Sequence, residues 1–341
     1  MNENKILHVM ILDKFLAPYI DFVDEHFGRV DHHYVFITSE KYDYGLTPKH
    51  KVEFLHTDDD IFITLLEYMK MAKKIILHGL WRDKVDVLLY FNQELLKKCY
   101  WVMWGGDFYF PETKSKIRHT IIKKIGFLTT TVPDDYLLVK KWYNTTAIFI
   151  HNLMYPSHIY RDFNICKCNM NKNQDIFIQV GNSADPSNNH IEVLDFLLRY
   201  KNKNIKIFCP LSYGSQEYKE KLISYGKKNF GEKFIPITTF LSFNEYNKYM
   251  ACVDIAIFNH NRQQAMGNTI GLISLGKKVI LKPNVTPFKF FKNLGIKIYS
   301  LEDNELLRLP SKKILESNIA IMKNYFNLNR LKRNWSEIFH E

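Results

Sequence analysis

The stretch Asp175 to Tyr200, DIFIQVGNSADPSNNHIEVLDFLLRY, decides how this chain is read. Its opening, "DIFIQV", is an apolar run of strand length, and its end, "IEVLDFLLRY", carries apolar residues at helical spacing. Between them "GNSADPSNNH" (181–190) is made of small polar side chains and backbone donors. One reading is a capped helix, with Ser187 or Asn188 as N-cap. The other is an anion site, because N–H groups without helical partners and the positive end of a helix dipole meet at such a junction. The rest of the chain must choose.

Working outward, apolar runs alternate with helical patterns in both directions. "KILHVMIL", "YVFIT", "VEFLH", "KIILHG", "YWVMW", "FLTTT" and "AIFIH" precede the stretch, separated by segments such as "PYIDFVDEHF", "IFITLLEYMKMAKK", "VDVLLYFNQELLKK" and "DDYLLVKKWY". "IKIFCP", "FIPITTF", "DIAIFNH", "KVILKP" and "IKIYS" follow it. Such alternation predicts α/β domains with mostly parallel sheets and helices on both faces. With 341 residues, two cores are expected rather than one. Residues 152–174 lack periodicity and are assigned as the linker. The expected domains are therefore 1–151 and 175–341. Two doubly wound domains imply a ligand cleft at the carboxyl ends of their strands.

Composition sets limits on function. No stretch approaches the roughly 20 apolar residues of a spanning helix, and no signal peptide is read at the start, so a cytosolic protein is expected. The five cysteines have no metal-ligand spacing and are expected to be reduced thiols. The net charge of +11 invites a nucleic-acid partner, yet no helix-turn-helix, zinc finger or aromatic-basic pattern supports one. A basic amphipathic pattern over 114–128, "KSKIRHTIIKKIGFL", fits either a helix lying on an anionic membrane or a surface helix with its apolar face in the core. "TDDDIF" (57–62) contains an Asp-x-Asp that could hold a metal, but capping by Thr57 and the aspartates is the favoured reading. Pro133-Asp134-Asp135 likewise opens a helix.

The remaining polar clusters fall at strand ends. After the strand ending at His260 comes "NRQQAMGNTIGLISLG", with Arg262, Gln263 and Gln264 in a loop and Gly267 and Asn268 opening a helix. Together with Gly181, Asn182, Ser183, Asn188, Asn189 and His190 this makes a second anion site in the same domain, which suggests a diphosphate. In the first half "LHGLW" (77–81) and "WGGDFYF" (104–110) place His78, Gly105, Gly106 and Asp107 toward the ligand, the paired glycines also fitting a plain tight turn. Asp107 is read as the only carboxylate so placed.

These segments, with "LHVMILD" near the start, "LHG" after the fourth strand and Pro287-Phe288 before a late helix, resemble the bacterial TDP-Fuc4NAc:lipid II Fuc4NAc transferases, glycosyltransferase family 56. The resemblance spans nearly the whole chain. It implies a GT-B glycosyltransferase fold of two facing domains and a dTDP-linked donor on the C-terminal domain. It also implies a polyprenyl-diphosphate-linked acceptor at the cytoplasmic face of the bacterial inner membrane. Leaving-group charge would be met by cationic and N–H donors, with no metal and no other cofactor expected. If the anomeric centre inverts, Asp107 is the first choice as proton acceptor, with His78 and His8 behind it. A transferase for another dTDP- or UDP-amino sugar is the nearest rival, and a GT-B fold without activity a further one. The segment 318–335 could pack on either domain.

Overall fold

The computed structural model describes residues 1, 3–39, 44–161, 168, 170, 174–303 and 305–340. The chain divides into one unit of Met1–His158 with Leu328–Glu341 and another of Ile159–Asn327. The division falls inside the expected linker, of which residues 162–167, 169 and 171–173 lie outside the described residues.

The first unit runs β1 (Ile6–Met10), α1 (Leu16–Phe27), β2 (His32–Phe36), β3 (Glu53–Phe54), α2 (Leu66–Met71), β4 (Lys74–His78), α3 (Asp83–Phe91), β5 (Cys99–Val102), α4 (Lys116–Lys124), β6 (Phe127–Thr130), α5 (Pro133–Tyr143) and β7 (Ile148–His151). All seven strands are parallel, in the order β3-β2-β1-β4-β5-β6-β7. Sheets buried on both faces need continuous apolar strands rather than alternating ones, and β1 and β4 are buried at every position. The segment read as one helix over "VDVLLYFNQELLKK" breaks at Asn92, whose Nδ2 donates to Leu88 O at 2.8 Å and closes α3; a tighter turn follows over Gln93–Lys98.

The second unit runs β8 (Ile176–Val180), α6 (His190–Leu197), β9 (Ile205–Pro210), α7 (Gln216–Phe230), β10 (Phe234–Ile237), α8 (Phe243–Cys252), β11 (Ile255–Phe258), α9 (Met266–Ser274), β12 (Lys278–Leu281), α10 (Thr286–Asn293) and α11 (Lys312–Tyr325). Its parallel sheet has the order β10-β9-β8-β11-β12. "IKIYS" contributes a single bridge, Ile280 to Tyr299, rather than a sixth strand.

The last helix, α12 (Leu328–His340), packs into the first unit, in contrast to the expected 175–341 domain. Trp335 is fully buried there, its Nε1 donating to Met154 O at 2.8 Å and its ring 4.9 Å from that of Tyr19. Lys74 Nζ donates to Ile338 O at 2.7 Å, and Leu153 N donates to Asn334 Oδ1 at 3.2 Å.

Two further expectations are decided. In α4 the apolar stripe is consumed by the core: Ile121 and Ile122 are fully buried, Ile125 nearly so, and Arg118 is buried against Asp86. Of the two readings of 114–128, the structure shows the surface helix with its apolar face in the core, and of its basic residues Lys116, Lys123 and Lys124 stay fully at the surface. A correction concerns thiols. Cys168 and Cys252 are joined by a disulfide, their Cα atoms 4.6 Å apart although 84 residues separate them. Only the folded path of the chain brings them together. Cys99 and Cys209 are free and buried, as expected, while Cys166 lies outside the described residues.

Candidate active site

In each sheet the strand order reverses once, between β1 and β4 in the first unit and between β8 and β11 in the second. Adjacent loops part at such points, and ligands of open α/β sheets bind in the crevice this leaves. The sequence-derived clusters fall at both.

In the second unit, Gly181 leaves β8 with φ +67°, and a Cβ there would lie 2.2 Å from His190 Nε2. Glycine is the residue that permits this crossing over the imidazole. The next turn, Pro186–Asn188, is capped by Asp185, whose Oδ1 accepts from Ser187 N at 2.8 Å. α6 itself starts behind Asn189 in the left-handed conformation, so neither Ser187 nor Asn188 is its N-cap. Asn188 is an internal rivet, fully buried: its Oδ1 accepts from Asn182 N and lies 2.9 Å from His260 Nε2, and its Nδ2 donates to Ser183 Oγ and Asp185 O. Ser187 Oγ donates to Gln264 Oε1 at 2.8 Å and Gln264 Nε2 to Asn182 Oδ1 at 3.3 Å, tying the β8 loop to the β11 loop. Asn189 Nδ2 donates to Asn259 O at 2.7 Å. Much of the polarity of "GNSADPSNNH" thus holds the loop's own shape.

Part of that polarity is left without a partner. Among the described residues of this unit, the buried side-chain atoms without a partner are His190 Nε2, Asn259 Nδ2 and Gln263 Oε1, all in these two loops. Unpaired buried polar atoms cost about 1–3 kcal/mol each, so three of them at the switch point make these loops a candidate ligand site. Burial holds His190 down at about 4 and His260 at about 3, so both are neutral. The cation is Arg262, 3.8 Å from Asp185. Gly267 and Asn268 lie in the first turn of α9, where N–H groups have no helical partner; the Asn268 side chain accepts from Tyr246 OH at 3.1 Å. Asn259, Asp185 and Tyr213, which accepts from Asn182 Nδ2, were missed because their roles depend on contacts between loops far apart in sequence.

In the first unit Asp107 is 1% exposed and its carboxylate is fully engaged. Oδ2 accepts from Leu80 N at 3.1 Å and Trp101 Nε1 at 2.8 Å, and Oδ1 accepts from Trp104 N at 3.2 Å. It ties the loop after β4 to the loop after β5. Burial raises its pKa, and these donors oppose the rise. His8 and His78 are fully buried in a polar chain. Trp104 Nε1 donates to Tyr155 OH at 2.9 Å, and since Trp only donates, Tyr155 pairs onward to His78 Nδ1, also at 2.9 Å. His78 Nε2 lies 3.2 Å from His8 Nδ1, and His8 Nε2 lies 2.9 Å from His32 Nδ1. With each proton on Nε2 every link is satisfied and every ring is neutral, in keeping with burial lowering all three pKa values. Asp107 is not the only carboxylate at this end of the sheet. Asp13, in the loop after β1, is half-buried with its pKa raised by burial, and Asp86 projects from α3.

The "TDDDIF" segment is a cap: Asp60 Oδ2 accepts from His56 N and Thr57 N, and Asp60 N donates to Thr57 Oγ1. Among the described residues no group of three or more His, Cys, Asp or Glu is arranged to hold a metal.

Solved structures of similar fold cover almost the entire chain. HepE of Anabaena, crystallised with UDP, matches with a TM-score of 0.72 at 12% identity, covering 98% of each chain. A glycosyltransferase of Rickettsia africae matches at 0.67 and 13%, over 99% of this chain and 100% of that one. WaaG, a glycosyltransferase involved in lipopolysaccharide biosynthesis, matches at 0.59 and 12%, over 98% and 93%. These likenesses give the fold, GT-B. The family model of 4-alpha-L-fucosyltransferase, glycosyl transferase group 56, matches residues 16–306, and the chain is therefore a glycosyltransferase that belongs to that family.

Proposed function

We propose that the protein transfers a 4-acetamido-4,6-dideoxygalactose residue from a dTDP-linked donor to a polyprenyl-diphosphate-linked saccharide during assembly of a bacterial surface glycan, at the cytoplasmic face of the inner membrane. The observation that carries the donor half is the set of three unpaired buried atoms beside Arg262 and the first turn of α9. In the transfer, the bond from the anomeric carbon to the diphosphate breaks, the acceptor oxygen bonds that carbon, and charge builds on the leaving oxygens. Asn259 Nδ2, the guanidinium and the α9 N–H groups are donors of the kind that charge requires. Gly181, Asn182, Ser183, Asn189, His190, Gln263, Gln264, Gly267 and Asn268 shape that pocket. The acceptor hydroxyl's proton goes to Asp13, the half-buried carboxylate in the loop after β1, whose backbone hydrogen bonds come from the adjacent Lys14 and Phe15. Asp107, His78 and His8 position the loops around it.

Calorimetric titration with dTDP, UDP and GDP, with and without EDTA, tests this reading. Metal-independent binding with preference for dTDP is expected. HepE carries UDP in its crystal, so preference for UDP would move the donor to a UDP-amino sugar. Absence of binding by all three sinks the proposal.

Arg262→Ala should raise the dissociation constant for the preferred nucleotide about tenfold, given roughly 1.5–3 kcal/mol for a charge-assisted hydrogen bond. Asp185 already occupies one side of the guanidinium, which keeps the loss toward the lower end. An unchanged constant would take Arg262 out of the pocket.

A further inference from the structure

At the switch point of the first sheet, a recess opens beyond β1 and β4, lined by Gly79, Leu80, Trp81, Arg82, Val85 and Asp86 among others. It has room for about one water-sized group. Two features make it a built site. Asp86 is 2% exposed and its Oδ2 accepts from Arg118 Nε, yet its Oδ1 has no partner. Beside it Trp81 is 37% exposed, an unusual position for the largest apolar side chain. The fold takes trouble to hold it there. Gly79 has φ +78°, and a Cβ on it would lie 2.2 Å from Trp81 Nε1, so the indole folds back across backbone that only glycine leaves open. The ring then sits 5.9 Å from that of Trp104, itself fixed by its bond to Tyr155 and by Phe15 at 4.8 Å.

A buried acceptor with an open lone pair beside a rigid indole face matches one kind of ligand: a hydroxyl group carried on a ring with an apolar C–H face. We propose that this recess is a saccharide subsite for the acceptor, with one sugar ring stacked on Trp81 and one of its hydroxyls entering the recess to donate to Asp86 Oδ1. The exposed Arg82, anchored through Nε to Ile37 O at 3.0 Å, stands at the rim and suits the negative charge of a diphosphate-linked glycan. The inference rests on the proposed transferase reading and adds to it where the acceptor's sugar lies. Burial raises the Asp86 carboxyl to about 6 despite Arg118, which fits a group awaiting a donor.

The test uses the full chain, with geranyl-diphosphate-linked N-acetylglucosamine as probe and geranyl diphosphate as the sugar-free control, both titrated in the presence of saturating nucleotide diphosphate. The wild type should bind the glycosylated probe about tenfold more tightly than the control, the combined effect of one hydroxyl bond and one stacked face. Trp81→Ala should cut that increment to about threefold, and Trp81→Phe should keep most of it. Asp86→Asn should also reduce it, because the amide oxygen stays on Arg118 and the NH2 replaces the acceptor in the recess. The Trp81 pair carries the decision if Asp86→Asn melts early through its weakened bond to Arg118. An equal increment in wild type and Trp81→Ala overturns the subsite. So does a wild type that binds nucleotide but shows no sugar increment, which would leave a lone water in the recess. A wild type that binds no nucleotide would instead sink the donor reading, so the two failures are distinguishable.

Discussion

Replacing Asp107 by alanine should lower the melting temperature by about 10 °C or more and abolish activity with it. Three donors, Leu80 N, Trp101 Nε1 and Trp104 N, converge on this one buried carboxylate. Removing it strands all three, at about 1–3 kcal/mol each. Even the lower end, about 3–5 kcal/mol in total, is a large share of the roughly 5–15 kcal/mol that holds a domain folded. At about 2–4 °C per kcal/mol for units of this size, the shift is easily read by calorimetry. The loops after β4 and β5 would part, and with them Trp81 and Trp104. Asp13→Asn should behave in the opposite way, losing most turnover with little change in melting. If Asp107→Ala melts like the wild type while turnover vanishes, the aspartate acts chemically and the positioning role assigned to it is wrong.

The second large effect is acid instability. His8, His32 and His78 in the first unit, with the partly buried His158, and His190 and His260 in the second have pKa values pushed down by burial: His78 and His260 to about 3, His32, His158 and His190 to about 4. In the unfolded chain they titrate near 6.5. Above that pH neither state binds the proton and their neutral burial costs nothing. As pH falls below it the unfolded chain takes up protons the folded chain refuses, so stability drops, and continues to drop until the folded pKa values are reached. Each site contributes up to about 1.4 kcal/mol per pH unit, or about 2 kcal/mol by pH 5. Three carboxylates act the other way: Asp13, Asp86 and Asp107 have raised pKa values and gain stability as pH falls toward 4, which offsets only part of the loss. The urea midpoint should therefore fall steeply between pH 7 and pH 5. A flat midpoint over that range would mean that the histidine chain from His32 to Tyr155 is not closed to protons.

Both predictions depend in part on side chains that the sequence singles out, Asp107, His8, His78 and His190, but for reasons it does not contain. His78 ends β4 and Asp107 lies in the loop after β5, while His8 sits in the middle of β1. That they turn inward follows from partners elsewhere: Leu80 in the loop after β4, Tyr155 in the chain beyond β7, and Trp335 from the far end of the protein. The donor-side residues were easier to read. A glycine-led polar loop between an apolar strand and an amphipathic helix is a local pattern, and the β8 and β11 loops meet because those strands pair directly.

By itself, then, the sequence determined the alternation of strands and helices, the two parallel sheets and the position of polar loops at their carboxyl ends. These follow from periodicity and from residues close in the chain, which local sterics and burial govern. The tertiary structure alone decided that Asn188 is a rivet and Asn259 an open donor, that α12 closes over the first sheet, that Cys168 meets Cys252, and that the isoleucines of α4 face the core. Each of those outcomes rests on a contact between groups tens or hundreds of residues apart. Whether a polar atom is satisfied, or an apolar stripe covered, depends on which neighbour the fold supplies.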